Sequence, residues 1–154
     1  MLILVLSSEI KRNWNGNLFK EVKLCKRMDN VVHFEIPAED VERAKEFYTA
    51  AFGWKMNSMP EMGYTIIHTV EVDEKQMPKT IGAINGGMLK RTEEMCIQSP
   101  VITISVKDID ASIDKVKQLG GKIVGEKMKV SNMGLAAYFK DPEGNVLGLW
   151  QNLM

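Results

Sequence analysis

The alternation of apolar and polar residues outlines a strand followed by a helix. Residues 31–36 alternate apolar and mixed side chains, as a strand with one buried face does. A short turn then leads to Asp40, whose carboxylate suits the N-cap of a helix. Apolar residues recur behind it at spacings of three and four, and Gly53 stands where a left-handed residue ends a helix. The predicted stripe consists of Val41, Ala44, Tyr48 and Ala51, widened by Phe47 and Phe52.

The same pattern returns 68 residues further on, from Asp40 to Asp108. Residues 101–106 again alternate as a strand, Asp108 is again a suitable N-cap, and Gly120 with Gly121 predicts the end of a second helix. The apolar stripe of this helix consists of Ile109, Ile113, Val116 and Leu119. The repeat indicates two copies of one structural module.

Each predicted helix is followed by three further strand candidates, separated by turn signals. These are residues 54–59, 64–72 and 80–89 in the first half and 122–130, 135–140 and 145–151 in the second. The pattern predicts an α+β fold of two tandem βαβββ modules. We assign a single domain to residues 28–154, with module one at 30–89, a linker at 90–100 and module two at 101–153. Residues 1–27 are treated as a loosely packed N-terminal extension.

The composition suits one globular domain, with 45% apolar and 26% charged residues in a chain of 154. The longest apolar run, residues 2–6, is far shorter than the roughly 20 residues that span a bilayer, and no basic residue precedes it. We therefore expect a cytoplasmic protein without membrane contact. Residues 1–27 are basic but nearly lack interleaved aromatics, so no nucleic-acid partner is expected. Cys25 and Cys96 lack the paired spacing of a metal or redox motif.

Several short segments resemble the vicinal oxygen chelate superfamily, which includes glyoxalases, bleomycin resistance proteins and dioxygenases. The segments are His33-Phe34-Glu35-Ile36-Pro37, residues 42–48, Phe52-Gly53-Trp54 and residues 139–145. Their order, together with the internal repeat, carries the resemblance. It implies that the two modules lie side by side and that their sheets curl into a cup, with the helices outside and a small-molecule ligand within. A homodimer is also expected from this family.

Strand periodicity predicts which side chains face the cup, because successive residues point to opposite faces of a strand. The residues expected to pack outward against the helices are Val32, Phe34, Ile36, Ile102, Ile104, Val106, Leu147 and Leu149. The residues expected to face inward are Val31, His33, Glu35, Val101, Thr103, Ser105, Val146, Gly148 and Trp150.

The family resemblance implies one metal-ligand position on the first and the last strand of each module. These positions fall on His33, Gly82, Val101 and Gly148. Only His33 carries a donor atom, whereas a catalytic divalent metal needs about three protein ligands. No cofactor is therefore predicted, and glyoxalase I or extradiol dioxygenase activity is not expected. The alternative is a divalent metal held by a shifted set of side chains that includes Glu35, His68 and Glu71.

Two functions remain open at this point. The first is a metal-free binding protein, similar to bleomycin resistance proteins, that holds a small molecule in the cup without chemistry. The second is a lyase or isomerase of glyoxalase type, in which His33 and Glu35 act as acid–base groups because they share one strand face. The predicted ligand-binding residues are Thr103, Ser105, Tyr138 and Trp150. A regulatory partner module would instead show an exposed apolar face.

Overall fold

Two helices and a single large sheet make up the domain. The computed structural model describes residues 28–154 in full and, before them, only the backbone of two antiparallel strands, β1 (Ser8–Arg12) and β2 (Leu18–Val22). The expected loose packing of residues 1–27 lies outside the described residues. Module one contains β3 (Val31–Ala38), α1 (Val41–Phe52), β4 (Lys55–Met59), a 3-10 turn (Pro60–Met62), β5 (Tyr64–His68) and β6 (Gly86–Lys90). Module two contains β7 (Val101–Ser105), α2 (Ile109–Gln118), β8 (Lys122–Val130), β9 (Gly134–Lys140) and β10 (Val146–Asn152).

Eight strands form one curved sheet in the order β4-β5-β6-β3-β7-β10-β9-β8. The first strand of each module pairs in parallel with the last strand of the same module, β3 with β6 and β7 with β10. The two first strands pair antiparallel with each other at the centre of the sheet. This symmetric order confirms the predicted α+β fold of two βαβββ modules.

Both helices begin at the predicted aspartates. The Asp40 carboxylate accepts a hydrogen bond from the Arg43 amide at 3.0 Å, and the Asp108 carboxylate accepts one from the Ala111 amide at the same distance. Each helix covers one apolar cluster on the outer side of the sheet. The cluster of module one contains Phe34, Ile36, Ala38, Val41, Ala44, Tyr48, Trp54, Met56, Ile67 and Met88. The cluster of module two contains Ile104, Val106, Ile109, Ile113, Val116, Ile123, Leu135, Ala137, Phe139, Leu147 and Leu149.

Some predicted core residues lie at the surface. Phe47 and Phe52 on α1 are 59% and 60% exposed, because the sheet is covered by the narrower stripe of Val41, Ala44 and Tyr48. Leu119, at the end of α2, is also largely exposed. Ile102 is 46% exposed because it lies at the junction of the modules, opposite Phe34, outside the cluster beneath α2.

Two predicted strands are shorter than expected. The strand predicted at 64–72 ends at His68, because the Asn85 side chain accepts hydrogen bonds from the amides of Thr69 and Val70, in place of a neighbouring strand. The strand predicted at 80–89 begins only at Gly86. A turn closed by the bond from the Ala83 amide to the Thr80 carbonyl precedes it, and Gly82 there has a positive φ of 83°.

The face prediction fails at the start of β3. The pairing between β3 and β7 shifts between Val31 and His33, so that Val31 lies opposite Ile104 while His33 lies opposite Thr103. Directly paired residues share a face of the sheet. The bulge therefore moves Val31 to the outer face, while His33 and Glu35 remain on the inner one. In the part of the chain that the structure describes, no helix combines the length and apolarity needed to cross a membrane.

Candidate functional site

Four polar side chains meet on the inner face of the sheet, and we call them the concave cluster: His33, Glu35, Tyr64 and Tyr138. The first two lie two residues apart on β3, where the strand alternation directs both to the same face. Tyr64 opens β5 in module one, and Tyr138 lies on β9 in module two. The cluster therefore joins the two modules.

Hydrogen bonds connect all four side chains. The Tyr138 hydroxyl donates to Glu35 Oε2 at 2.7 Å, and the Tyr64 hydroxyl donates to Glu35 Oε1 at the longer distance of 3.5 Å. His33 Nε2 lies 2.9 Å from the same Tyr64 hydroxyl. Because a hydroxyl has one proton, all three bonds form together only when His33 Nε2–H donates to Tyr64. The Glu35 carboxylate thus accepts from Tyr138 directly and from Tyr64, which itself accepts from His33.

Burial changes the proton affinities of the cluster. Glu35 is only 9% exposed, and desolvation of its carboxylate raises its pKa, while the hydrogen bonds from Tyr138 and Tyr64 act in the opposite direction. Burial lowers the pKa of His33, which favours the neutral imidazole. Burial and the neighbouring Glu35 charge raise the pKa of both tyrosines, so their hydroxyls stay protonated. Glu35 thus serves as the hydrogen-bond acceptor among three groups whose pKa shifts favour their neutral forms.

The space for Tyr64 exists because residue 87 is a glycine. A Cβ built on Gly87 would overlap the Tyr64 hydroxyl and ring, so a larger residue is incompatible with the present position of Tyr64. Gly148 is the equivalent residue in module two. Gly148 pairs with Thr103, and Gly87 pairs with Glu35, which is the counterpart of Thr103 in the repeat of 68 residues. A Cβ on Gly148 would lie 2.6 Å from Thr103 Oγ1. The register therefore corrects the prediction that Gly82 is the counterpart of Gly148.

Comparisons with known proteins identify the family. A family model described as bleomycin resistance protein-like N-terminal matches residues 30–69. A glyoxylase-like domain-containing protein of Didymella fabae is 33% identical over 72% of this chain and 84% of its own length. The chain belongs to the vicinal oxygen chelate superfamily.

Two further comparisons have lower sequence identity. A putative glyoxylase of Mycobacterium bovis is 29% identical over 76% of this chain, which spans only 43% of that protein. Among solved structures, methylmalonyl-CoA epimerase from Streptomyces coelicolor has a TM-score of 0.57 at 16% identity, over 83% of this chain and the whole of that one. This last likeness shows the shared fold alone.

The side chains at the superfamily's metal positions do not fit a metal ion here. Of the four positions, corrected by the register to His33, Gly87, Val101 and Gly148, only His33 has a donor atom. The space in front of Gly87 is filled by the Tyr64 hydroxyl, and that in front of Gly148 by Thr103. Protonated hydroxyl groups are poor substitutes for the carboxylate and imidazole ligands of a catalytic metal.

The shifted set of possible ligands is not brought together either. His68 lies at the end of β5, with Nδ1 3.5 Å from the Asn57 amide nitrogen. Glu71 is exposed and forms an ion pair with Lys55, which lowers the pKa of its carboxyl group. Among the described residues, no three His, Cys, Asp or Glu side chains form a group that could hold a metal ion.

The predicted ligand-binding residues divide into two groups. Tyr138 belongs to the concave cluster, and Thr103 is buried beside it, opposite His33 and Gly148. Ser105 and Trp150 pair with each other further along β7 and β10, where the Trp150 ring packs over Gly134. No hydrogen bond connects these two residues to the concave cluster within the described part of the chain.

Tyr64 was not among the residues predicted from the sequence. The available signal was strand alternation, because Tyr64 and Ile66 share the face opposite Ile67, which is fully buried beneath α1. Tyr64 is thus directed to the inner face of β5. Its contact with His33 and Glu35 depends on the sheet order, which places β6 between β5 and β3.

Proposed function

We propose that this protein binds a small molecule in the cup, without a metal, through the polar groups of the concave cluster. The observation that carries the proposal is the Glu35 carboxylate, which is buried on the inner face and bonded to Tyr138 and Tyr64 from both modules. A buried charge without a cationic partner is costly, and no ion pair involving Glu35 occurs among the described residues. Such an arrangement is typical of a binding site.

The chemistry of the cluster favours one type of ligand. Glu35 can accept further hydrogen bonds, and the two tyrosine hydroxyls hold their protons over the whole neutral range. The single negative charge repels anionic ligands and attracts hydroxyl, amino or ammonium groups. We therefore infer a neutral or cationic small molecule that presents a hydrogen-bond donor to Glu35.

Native mass spectrometry of the protein purified from its own host tests this proposal. We expect a bound small molecule on the native chain and a reduced occupancy on Tyr138→Phe and Glu35→Gln. One lost hydrogen bond to the carboxylate corresponds to roughly tenfold weaker binding. Tyr48→Phe is the matched control, because it removes a tyrosine hydroxyl on the helix side of the sheet. Equal occupancy in all variants would place the ligand elsewhere.

A second function, a lyase or isomerase of glyoxalase type, is favoured by the raised pKa of Glu35. A carboxyl group with a raised pKa is suited to take a proton from a substrate and return it near neutral pH. The variant Glu35→Gln separates the two functions once the ligand is known. In an enzyme it abolishes turnover while the ligand still binds, whereas in a binding protein it changes affinity alone.

The metal content follows from the same cluster. We expect protein prepared without added metal to carry far less than stoichiometric Zn, Ni, Fe or Mn by elemental analysis, since one imidazole alone holds a divalent ion weakly. A chelator-treated sample is the control. Stoichiometric metal that is lost on His33→Ala would contradict the proposal and show that Tyr64 moves away to admit an ion.

The expected homodimer stays a prediction that rests on the family, because the structure describes one chain.

A further inference from the structure

A second recess lies on the helix side of the domain, away from the concave cluster. It has a volume of about 360 Å³ and is formed by the end of β3, the first two turns of α1 and Arg91. We call it the helix-edge cleft. Its apolar lining consists of Ile36, Pro37, Ala38, Ala44, Phe47 and Tyr48. The volume falls within the range of small-molecule sites, and Phe47 is more than half exposed beside it.

One guanidinium in the cleft has an unmet hydrogen-bond donor. Arg91 is held in place by its backbone amide, which donates to the Ala38 carbonyl at 2.9 Å, and by Nη1, which donates to the Gln98 carbonyl at 3.3 Å. Its Nε is buried and has no hydrogen-bond partner. The third guanidinium nitrogen, Nη2, lies 3.8 Å from Glu39 Oε1, which is beyond hydrogen-bond distance, and it is therefore the donor that a ligand in the cleft can reach.

A second guanidinium borders the same cleft. The Arg43 backbone amide donates a hydrogen bond to the Asp40 carboxylate. The Arg43 side chain forms no hydrogen bond or ion pair with any described residue. Two carboxylates, Glu39 and Asp40, also line the cleft, and they balance the charges of the two arginines. The Asp40 carboxylate is occupied as the helix N-cap, and the nearest approach of Glu39 to Arg91 is 3.8 Å, with 76% of the Glu39 side chain exposed.

We propose that the helix-edge cleft binds a small carboxylate with an apolar body. The carboxylate oxygens accept hydrogen bonds from Arg91 Nη2 and from the Arg43 guanidinium, which is the pairing that arginine makes best. The apolar body packs against Phe47 and Tyr48. This site is separate from the concave cluster, for which a neutral or cationic ligand is inferred.

Titration with benzoate, followed by amide chemical shifts in two-dimensional NMR, tests the proposal on the full chain. We expect saturable shifts at residue 36, at residues 38–48 and at residue 91, with a dissociation constant on the order of 1 mM for so small a ligand. Benzamide has the same shape without the charge, and sulfate has charge without the apolar body. Both are expected to bind at least tenfold more weakly, because each lacks one of the two matched features. Equal binding of benzamide, or shifts confined to the inner face of the sheet, would overturn the assignment.

Substitutions assign the roles of the two arginines. Arg43→Gln is expected to weaken benzoate roughly tenfold, which corresponds to the loss of one charge-assisted hydrogen bond. Arg91→Lys keeps the charge but removes Nη2 with the rest of the guanidinium, and we expect a similar loss. Lys107→Gln, which removes an exposed positive charge before α2, is the control and leaves binding unchanged. Because Arg43 is exposed, its variant tests the cleft even if Arg91→Lys unfolds. Unchanged affinity in Arg43→Gln would refute the proposed contact.

Discussion

Replacing Gly87 with alanine is expected to destabilise the protein by about 2–3 kcal/mol, the upper part of the range of about 1–3 kcal/mol that is typical of overpacking in a well-filled interior. The added methyl group overlaps the Tyr64 hydroxyl, which is also bonded to His33 and Glu35. Tyr64 must leave its place, and the concave cluster loses one of its two hydroxyl donors. Urea unfolding followed by tryptophan fluorescence measures the change. Backbone strain is not the cause, because Gly87 does not have a positive φ.

A double-mutant cycle with Tyr64→Ala isolates this steric cause. When the Tyr64 ring is absent, Gly87→Ala is expected to cost almost nothing, so the coupling energy between the two positions reaches about 2 kcal/mol. Gly148→Ala is the matched comparison in module two. The three atoms nearest to its added methyl belong to the Thr103 side chain, at 2.6 to 3.3 Å, and a smaller loss is expected because this overlap is less severe than that with Tyr64. A full loss of stability on Gly87→Ala in the Tyr64→Ala background would show that another neighbour fills the space.

The parts of the fold that depend on short-range signals could be predicted from the sequence. Asp40 and Asp108 act as N-caps and Gly53 adopts the left-handed conformation, because each of these roles is satisfied within a few residues. The inner position of His33 and Glu35 follows from the two-residue period of the strand. The internal repeat then supplied the architecture of both modules.

The features that were not predicted from the sequence depend on contacts between distant segments. The hydrogen bond from Tyr138 to Glu35 joins residues 103 positions apart. Tyr64 reaches the cluster only because the sheet order puts Gly87 beneath it. The start of β6 was misplaced because an apolar run with a glycine suits a strand or a turn equally, and Gly82 adopts the turn. No local pattern distinguishes these outcomes.

Replacing Glu35 with glutamine is expected to stabilise the protein at neutral pH, because a buried carboxylate without a cationic partner is costly. Burial raises the pKa of Glu35 above its usual value of 4.5. The native state therefore holds this proton more tightly than the unfolded chain, and stability is lost as the pH rises through the folded pKa. The variant lacks that loss, so the free energies of unfolding of the two proteins become similar toward pH 4 and differ more toward pH 7. Urea unfolding at several pH values measures the difference.

The comparison between the two proteins isolates Glu35 because His33 is present in both. The lowered pKa of His33 has the opposite effect, a loss of stability as the pH falls below the usual 6.5 of histidine, and it largely cancels in the difference. The glutamine also keeps the hydrogen bonds. Its side-chain carbonyl accepts from Tyr138, and its side-chain amide donates to the Tyr64 hydroxyl. The Tyr64 hydroxyl then donates to His33 Nε2, so the neutral imidazole carries its proton on Nδ1. Nitrogen chemical shifts of His33 report this change of tautomer.

Glu35→Leu is the control, because it removes the charge together with the acceptor for Tyr138 and is expected to gain less stability or none. A difference between Glu35→Gln and the native chain that does not grow with pH would contradict the raised pKa, and with it the argument that a buried, unpaired carboxylate is retained here for function at a cost in stability.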